Sequence, residues 1–424
     1  MRAVSIDKTK VNTEIHQNHW LDRRCKQFVF RWLNNIKEGC LTLVDGDQTQ
    51  VFGSNQSVLQ ATVVVTAPIV YRDIVFNGLV GAGEAYMRGA WHSKNVVAVV
   101  RVLSANFNTM QSSRSLWSSI NQGATSFIQR YFRENTQENS RLNIAAHYDL
   151  GNDFFNLFLD KSMMYSSAIF PKENASLEEA AEYKLEHICQ RLQLKPSDHL
   201  LEIGTGWGGM AIYAAKHYGC RVTTTTISKE QYEHAKAEVH AAGLDKKVTL
   251  LLDDYRDLDG QFDKAVSIEM IEAVGHKFYQ RYFSACSRLL KPDGLMLIQA
   301  ITVPDQRYEI TKKSTDFIQR YIFPGGELPS IKIMSDHVEK DTDMQIVGID
   351  DITLDYAKTL AAWRERFIAK LEQVREQGFD DVFIRMWDFY LAYCEGGFRE
   401  RAISTVQLVM AKPRCHHLPA VVRH

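Results

Sequence analysis

Two acidic residues, Glu269 and Glu272, follow an apolar run and stand three positions apart at a predicted strand-to-helix junction. Carboxylates held close together raise the pKa of one of them, which suits that group to accepting a proton. Open α/β sheets bind their ligands at this carboxyl edge of the strands. Carboxylates are also favoured at the start of a helix. The residue types alone leave both interpretations open, proton transfer and helix capping.

A glycine-rich stretch lies upstream, where Gly204, Gly206, Gly208 and Gly209 separate an apolar run from a helical-looking segment. This pattern predicts a strand, a tight turn and a helix. Glycines are needed there because the backbone must turn sharply and a ligand must come close to it. The start of the helix then offers free N–H groups. The spacing also satisfies the dinucleotide fingerprint, which is a weak signal by itself.

The next predicted strand decides between cofactors. A NAD site needs an acidic residue about 20 positions after the glycines. Residues 221–227 end instead in hydroxyl side chains, with no carboxylate. We therefore favour S-adenosylmethionine (SAM) over NAD or FAD. In this interpretation Glu202 and the glycines face the amino-acid end and the ribose of SAM.

Two more polar pairs follow predicted strands. Ser228 and Gln231 come after the second strand, where the ribose would lie, and they also match a capping box. Asp254 and Tyr255 end the third strand. Methyltransferases usually place an aromatic and a polar group against adenine at that point. A surface loop is the alternative there, as helix capping is for the first pair.

The elements that must position these residues alternate between strand and helix from about residue 142 onward, which predicts a doubly wound parallel sheet. Predicted strands cover residues 247–253, 262–268 and 294–301, and a late strand covers 403–411. A last strand reached by a hairpin is typical of the class I SAM-methyltransferase fold, a Rossmann-like α/β fold. It is unusual for a NAD-binding domain.

The chain is predicted to hold two domains joined by a linker. Residues 1–110 read as a small α+β domain, with an Asp45-Gly46 hairpin signal. Residues 111–141 are rich in Ser, Asn and Gln and read as a linker. Residues 142–424 form the methyltransferase domain, with a helical insertion that would line an acyl pocket.

Composition excludes several functional classes. The 50 basic and 51 acidic residues nearly balance, which gives no long-range attraction to nucleic acid. Seven cysteines without a C-x-x-C pair indicate free thiols, with neither a disulfide framework nor a metal site. The N-terminus lacks a signal-peptide core, and no apolar run reaches membrane-span length. We expect a cytoplasmic protein whose contact with a membrane is peripheral.

With these pieces in this order, the chain resembles the cyclopropane-fatty-acyl-phospholipid synthase family. The resemblance runs from the small N-terminal domain almost to the C-terminus. It is carried by residues 147–153 (HYDLGND), 164–168 (MYSSA), 202–209 (EIGTGWGG), 226–231 (TISKEQ), 254–257 (DYRD), 270–275 (MIEAVG), 321–329 (YIFPGGELP) and 396–399 (GGFR).

The resemblance implies a reaction in which SAM methylates the cis double bond of a phospholipid acyl chain. A carbocation forms, a base removes a proton, and a cyclopropane ring closes. Aromatic faces and exclusion of water suit such a cation. The family holds a bicarbonate as the base, with Glu272 and Tyr321 among the implied ligands. The implied SAM contacts are Tyr165, Ser166, Gly204, Gly206, Thr226, Gln231 and Tyr255.

Four positions depart from the family pattern. Ser167 replaces a usual Cys, Gln299 replaces a usual His, Ala273 replaces a frequent His, and Glu269 stands where Gly is common. Gln299 can donate a hydrogen bond but cannot act as an acid. These departures put the bicarbonate in question. We hypothesise that Glu269 takes over part of its role or changes which proton the cation loses.

Loss of a different proton would leave a methyl- or methylene-branched chain, which some relatives make with a separate flavin or nicotinamide reductase. A paralogue that binds SAM and lipid without turnover is a further alternative. The resemblance also implies phospholipid acyl chains at the inner face of the membrane as the partner. We expect a homodimer whose N-terminal domain docks on the bilayer or pairs the subunits.

Overall fold

The structure, a computed structural model, describes residues 20–107 and 150–418. The chain divides into two compact units, one of residues 1–122 with 380–389 and one of 123–379 with 390–424. The predicted linker over residues 111–141 lies outside the described residues, so its boundaries stay a prediction. The short segment 380–389 belongs to the first unit, which the sequence did not indicate.

The first unit is an α+β arrangement around a four-stranded sheet. Its strands are β1 Cys40–Asp45, β2 Gln48–Gly53, β3 Gln60–Val65 and β4 Trp91–His92, and its helices are Trp20–Leu33, Ile69–Met87 and Val96–Ala105. The strand order is β2-β1-β3-β4. Strand β1 pairs antiparallel with β2, which confirms the hairpin, and parallel with β3.

The core of this unit is built from alternating strand residues and one face of each helix. Val29 and Leu33 on the first helix are buried, as are Leu41 and Leu43 on β1. The ring of Tyr86 lies 4.9 Å from that of Trp91. Burial of such apolar surface stabilises the folded state by about 25 cal/mol per Å². These buried residues form a core within the first unit.

The second unit has the predicted class I SAM-methyltransferase fold. The strands of its seven-stranded sheet are β5 His199–Ile203, β6 Arg221–Thr225, β7 Val248–Leu251, β8 Phe262–Ile268, β9 Leu290–Thr302, β10 Gln345–Asp351 and β11 Ser404–Ala411. Their order in the sheet is β10-β11-β9-β8-β5-β6-β7. Strands β7, β6, β5, β8 and β9 are parallel, and β11 runs antiparallel between β9 and β10.

Helices cover the sheet and fill the connection between β9 and β11. The longer ones are Leu177–Arg191, Lys229–Ala241, Tyr279–Leu289, Ile331–Asp341, Thr353–Ala369 and Asp381–Arg399, the last of which belongs to the first unit up to Phe389. The shorter ones are Asn152–Phe155, Gly209–Tyr213 with a π-helical continuation Ala214–Tyr218, Tyr308–Thr311, Phe317–Tyr321, Leu371–Glu376, and the 3₁₀ turns Tyr255–Asp257, Ile271–Ala273, His276–Phe278 and Asp305–Arg307.

The parallel strands are buried on both faces, as expected for a sheet covered by helices. Leu201 and Ile298 pack with Phe283 on one side, and Leu200 and Leu297 pack with helix residues on the other. Because these strands are parallel, their carboxyl ends lie at one edge of the sheet. The predicted site residues that follow strands lie at this edge.

Candidate active site

The glycine turn after β5 has the backbone that the sequence predicted. Gly204, Gly206 and Gly208 have φ of 102°, 52° and 93°. The N–H groups of Gly204 and Thr205 both donate to the carbonyl of Thr225, at 3.0 and 3.1 Å. A side chain on Gly206 would meet no atom within 4 Å, so this part of the turn is open to a ligand.

Two other segments close on this turn. A Cβ on Gly209 would lie 2.8 Å from the carbonyl oxygen of Ser162 and 2.9 Å from the sulfur of Met164. A Cβ on Gly204 would lie 3.3 Å from Cγ of Met270. The segment containing Tyr165, Ser166 and Ser167 and the segment containing Glu269 and Glu272 thus both pack against the glycine turn.

Glu202 lies inside the sheet. It is 2% exposed, and the Thr224 hydroxyl donates to its Oε2 at 2.6 Å. The Thr224 hydroxyl also lies 2.7 Å from that of Thr205 in the turn. Burial raises the pKa of Glu202 to about 8, although the Thr224 bond opposes the rise. The Thr224 hydroxyl thereby links the Glu202 carboxyl group to the glycine turn.

The buried Glu202 predicts a pH dependence of stability. Between pH about 4.5, the ordinary pKa of the carboxyl, and pH about 8, the folded protein keeps a proton that the unfolded chain releases. The free energy of unfolding then falls as the pH rises, by at most about 1.4 kcal/mol per pH unit for one group. Glu202→Gln should remove this component from urea unfolding curves recorded across that range. Identical pH dependence in the two proteins would contradict the assignment.

The residues after β6 form a linked polar group. The Thr226 hydroxyl donates to Oε1 of Gln231 at 2.9 Å and accepts from the N–H of Ser228 at 3.1 Å. Ser228 caps the helix Lys229–Ala241 by accepting from the N–H of Gln231. The described bonds form only half of the predicted capping box, because the Gln231 side chain is turned toward Thr226 instead of back to the N-cap.

Asp254 and Tyr255 follow β7 as predicted. The Asp254 carboxylate accepts from Arg256 at the backbone N–H, Nε and a terminal nitrogen, over 2.5 to 3.0 Å. The ring of Tyr255 meets that of Tyr282 edge-on at 5.6 Å. Asp254 thus anchors the loop, and Tyr255 remains half-buried above it.

Glu269 is the most highly coordinated carboxylate at the end of β8. Its Oε1 accepts from the backbone N–H of Ser167 and from Nε2 of Gln299, both at 2.8 Å, and its Oε2 accepts from the Tyr356 hydroxyl at 2.8 Å. Its own N–H donates to the carbonyl of Gln299. The φ of Glu269 is 49°, in the region that favours glycine. A strained backbone here aims a carboxylate into three donors.

Charge around Glu269 is mixed. Burial raises its pKa, and the three hydrogen bonds and the ammonium of Lys184 oppose the rise. Lys184 is fully buried and donates to the Ser166 hydroxyl at 2.7 Å. Burial lowers the pKa of Lys184 to about 8. Burial is the largest of these causes, so the pKa of Glu269 lies above its ordinary value.

Glu272 lies one turn further on. Its Oε1 accepts from the N–H of Ile301 at 2.5 Å. Its Oε2 is buried and has no hydrogen-bond partner among the described residues. Burial and then the charge of Glu269 raise the pKa of Glu272 to about 8. The two acids are therefore coupled, as the spacing predicted, and the protonated form of Glu272 would present a donor.

Tyr321 ends the helix Phe317–Tyr321, and its ring lies 5.0 Å from that of Phe317. The segment after it returns to the site, because the N–H of Glu327 donates to the carbonyl of Glu272 at 2.8 Å. The predicted Tyr-Ile-Phe-Pro-Gly-Gly segment therefore borders the acidic pair.

The bicarbonate implied by the resemblance would need donors that this chain uses otherwise. The Ser167 backbone N–H and the Gln299 side chain stand at two of the implied ligand positions, and both donate to Glu269. The residues present do not fit a bicarbonate at these donors. The Glu269 carboxylate, an anion of similar shape, is bound there instead.

Aromatic side chains gather beside this carboxylate. The ring of Tyr165 lies 5.2 Å from Phe155 and 5.3 Å from Trp363, and its hydroxyl lies 2.8 Å from that of Tyr390. The ring of Tyr356 stacks on Phe398 at 4.5 Å. Aromatic faces stabilise positive charge. The site thus combines an acceptor of protons with surroundings suited to a cation.

Several of these residues were missed in the sequence. Lys184 could have been found, because residues 177, 180, 181, 184, 185 and 188 form a helical apolar stripe in which it is the one charge. Tyr356 and Trp363 carry no such signal. Among residues 20–107 and 150–418, no helix is long and apolar enough to cross a bilayer.

Comparisons with known proteins show which family the chain is similar to. The family model described as mycolic acid cyclopropane synthetase matches residues 135–408. The chain is 40% identical over 348 residues to tuberculostearic acid methyltransferase UfaA1 of Mycobacterium tuberculosis, covering 80% of this chain and 81% of that protein. It is 38% identical over 360 residues to cyclopropane-fatty-acyl-phospholipid synthase of Escherichia coli, covering 83% and 88%.

Solved structures give the same result. Mycolic acid cyclopropane synthase CmaA1, complexed with SAH and CTAB, superposes with a TM-score of 0.60 and 32% identity over 64% of this chain and 98% of that one. Cyclopropane synthase MmaA2 from Mycobacterium tuberculosis has a TM-score of 0.60 and 30% identity, with the same coverage. The fold and the SAM cofactor follow from these relatives together with the glycine turn.

Proposed function

Because the chain belongs to the mycolic acid cyclopropane synthetase family of SAM-dependent methyltransferases, we propose that it methylates the cis double bond of a phospholipid acyl chain and forms a cyclopropane ring. The observation that carries the proposal is the Glu269 carboxylate, held by three donors beside an aromatic cluster and against the glycine turn. This arrangement places the proposed base, the aromatic rings proposed to stabilise a cation and the glycine turn proposed to bind SAM close together.

The residues proposed to hold SAM are Tyr165, Ser166, Gly204, Gly206, Thr226, Ser228, Gln231 and Tyr255, with Glu202 and Asp254 holding the loops in place. SAM supplies a methyl group bound to a sulfonium, whose sulfur keeps the bonding electron pair when the methyl leaves. The electron pair of the double bond forms the new C–C bond. The second alkene carbon becomes a cation, which the rings of Tyr165 and Tyr356 would stabilise.

Glu269 then completes the reaction. Its carboxylate takes a proton from the transferred methyl group, and the freed C–H electron pair closes the ring on the cationic carbon. Gln299, Tyr356 and the Ser167 N–H hold the carboxylate for this step. Glu272 and Tyr321, which the resemblance implies as site residues, are proposed to face the substrate as well. Water must be kept away because it would capture the cation.

Methyl or methylene branching is the second candidate. A hydride shift onto the cationic carbon before proton loss would move the cation to the methylated carbon, and the same base would then leave a methylene branch. The similarity to a tuberculostearic acid methyltransferase favours this path. A separate reductase would be needed to turn a methylene group into a methyl group.

The proposed partner is a phospholipid at the inner face of the membrane. We further propose that the protein forms a homodimer and that its first unit docks on the bilayer or pairs the subunits. The resemblance is the support for these assignments.

The test uses purified protein, methyl-labelled SAM and vesicles of cis-unsaturated phospholipid. Released fatty acids are analysed by mass spectrometry and proton NMR, since ring and methylene products share one mass. Upfield ring protons support cyclopropanation, and vinylidene or branched-methyl signals support the second candidate. Thermal stabilisation by SAM with no label in the lipid would favour a paralogue without turnover.

A further inference from the structure

A row of hydrogen bonds reaches Glu269 from His187 through the side chains of Gln407 and Gln299. Gln299 on β9 and Gln407 on β11 are directly opposite each other, and both are fully buried. Nε2 of Gln407 donates to Oε1 of Gln299 at 2.9 Å, and Nε2 of Gln299 donates to Oε1 of Glu269 at 2.8 Å. Nδ1 of His187 lies 2.9 Å from Oε1 of Gln407.

From this row we propose that His187 and Gln407 are positioning residues that keep the donor side of the Gln299 amide turned toward Glu269. The inference rests on the proposed role of Glu269 as the base. An amide can be turned by half a rotation so that its oxygen and nitrogen exchange places. What decides the orientation of Gln299 is therefore the set of groups around both ends of its amide.

The direction of the row follows from its two ends. Nε2 of Gln299 also lies 3.2 Å from the carbonyl oxygen of Ser167, so both of its hydrogens face acceptors. The reversed amide would set an oxygen against the Ser167 carbonyl and the Glu269 carboxylate. At the other end His187 must donate from Nδ1, because the acceptor of Gln407 faces it. Neutral His187 with a proton on Nδ1 and the imidazolium both donate there.

Neither residue is assigned a role by the chemistry described so far. His187 sits on the helix Leu177–Arg191 and is half-buried, with Asp350 and Arg191 as its charged neighbours. The titratable groups that interact electrostatically with Glu269 are Lys184, Glu272, Tyr356 and Tyr390. Burial lowers the pKa of His187, which favours the neutral ring, and with a neutral ring the row adds no net charge to this set. Its effect is to keep one of three hydrogen bonds to the carboxylate in place.

The experiment compares two substitutions of one residue. His187→Leu removes the donor to Gln407, and His187→Asn keeps an N–H close to the position of Nδ1. Because His187 is half-buried, both variants should fold. With His187→Leu we expect kcat to fall about two- to tenfold, the worth of one hydrogen bond. The KM for SAM should stay unchanged.

The pH profile separates positioning from packing. A weakened bond from Gln299 raises the pKa of Glu269, so the acid limb of kcat should move to higher pH by about half a unit in His187→Leu. His187→Asn should match the wild type in rate and profile. Wild-type behaviour of both variants would overturn the proposal. Equal losses in both with an unmoved acid limb would also overturn it, since they would show a packing role only.

A second measurement does not depend on turnover. In protein labelled with ¹⁵N-glutamine, the side-chain amide signals of Gln299, identified by their absence in Gln299→Met, should shift in His187→Leu and stay in His187→Asn. If the Gln299 signal stays unchanged in both variants, the proposed positioning of the Gln299 amide is contradicted even if the enzyme is active. If the wild type methylates no lipid, the proposed function fails. The NMR measurement still shows whether His187 and Gln407 hold the Gln299 amide in place.

Discussion

Replacing Glu269 with glutamine is expected to lower the rate of product formation about 10²- to 10⁴-fold, the usual contribution of a general base. The substitution keeps the volume and the positive φ of the residue. Its new amide nitrogen can face the Tyr356 hydroxyl, which is able to accept a hydrogen bond, so the fold should be retained. Product is measured by label from methyl-labelled SAM in the released fatty acids, and SAM binding by calorimetry.

Glu186→Gln is the matched control, because Glu186 is a glutamate that binds Tyr213 and Tyr218 and takes no part in the bonds to Glu269. It should leave the rate unchanged. Glu269→Gly adds a sharper test, since it relieves the positive φ and vacates the donors of Ser167 and Gln299. Added bicarbonate should partly restore its activity. Ring formation by Glu269→Gln at an unchanged rate would exclude Glu269 as the base.

Replacing Gly204 with alanine should reduce the thermal stabilisation of the protein by a given concentration of SAM. At φ 102° an L-residue is strained by about 1–3 kcal/mol, and the new Cβ would stand 3.3 Å from Met270. Relief of that strain requires the turn to move off the Thr225 carbonyl. We expect SAM affinity, measured by calorimetry, to fall about 10- to 100-fold, which corresponds to the same strain energy.

Gly378→Ala controls for backbone strain alone. Gly378 has a φ of 92°, and its added Cβ would meet no atom within 4 Å. The two variants should lose similar thermal stability without ligand, while the control keeps its SAM affinity. Equal loss of SAM affinity in both variants would mean that the effect is global and that the Gly204 turn is not the SAM site.

Much of the fold was open to prediction because its signals are local. Gly204, Gly206 and Gly208 have positive φ, and the buried parallel strands read as apolar runs in the sequence. The hairpin at Asp45-Gly46 is a two-residue turn. Strand β10 escaped prediction, since Gln345–Asp351 is a half-exposed edge strand whose apolar residues do not form a run.

The site was predictable only in part. Glu269 and Glu272 were found by their spacing, and their coupling appears in the raised pKa of Glu272. What surrounds Glu269 could not be read, because its donors come from Ser167, Gln299 and Tyr356, which are far apart in the chain. The departures at Ser167, Gln299 and Glu269 looked like three separate changes. In space they form one hydrogen-bonded group.

The antiparallel position of β11 has a consequence for how the protein acquires its activity. This strand follows all the others along the chain and inserts between β9 and β10. Until it does so, both neighbours present an unpaired edge, and Gln299 lacks its partner on β11. Contacts of such long sequence separation form late and slowly. The partly folded protein would therefore contain a formed SAM turn before it contains an aligned base, and catalytic competence would be the last property gained during folding.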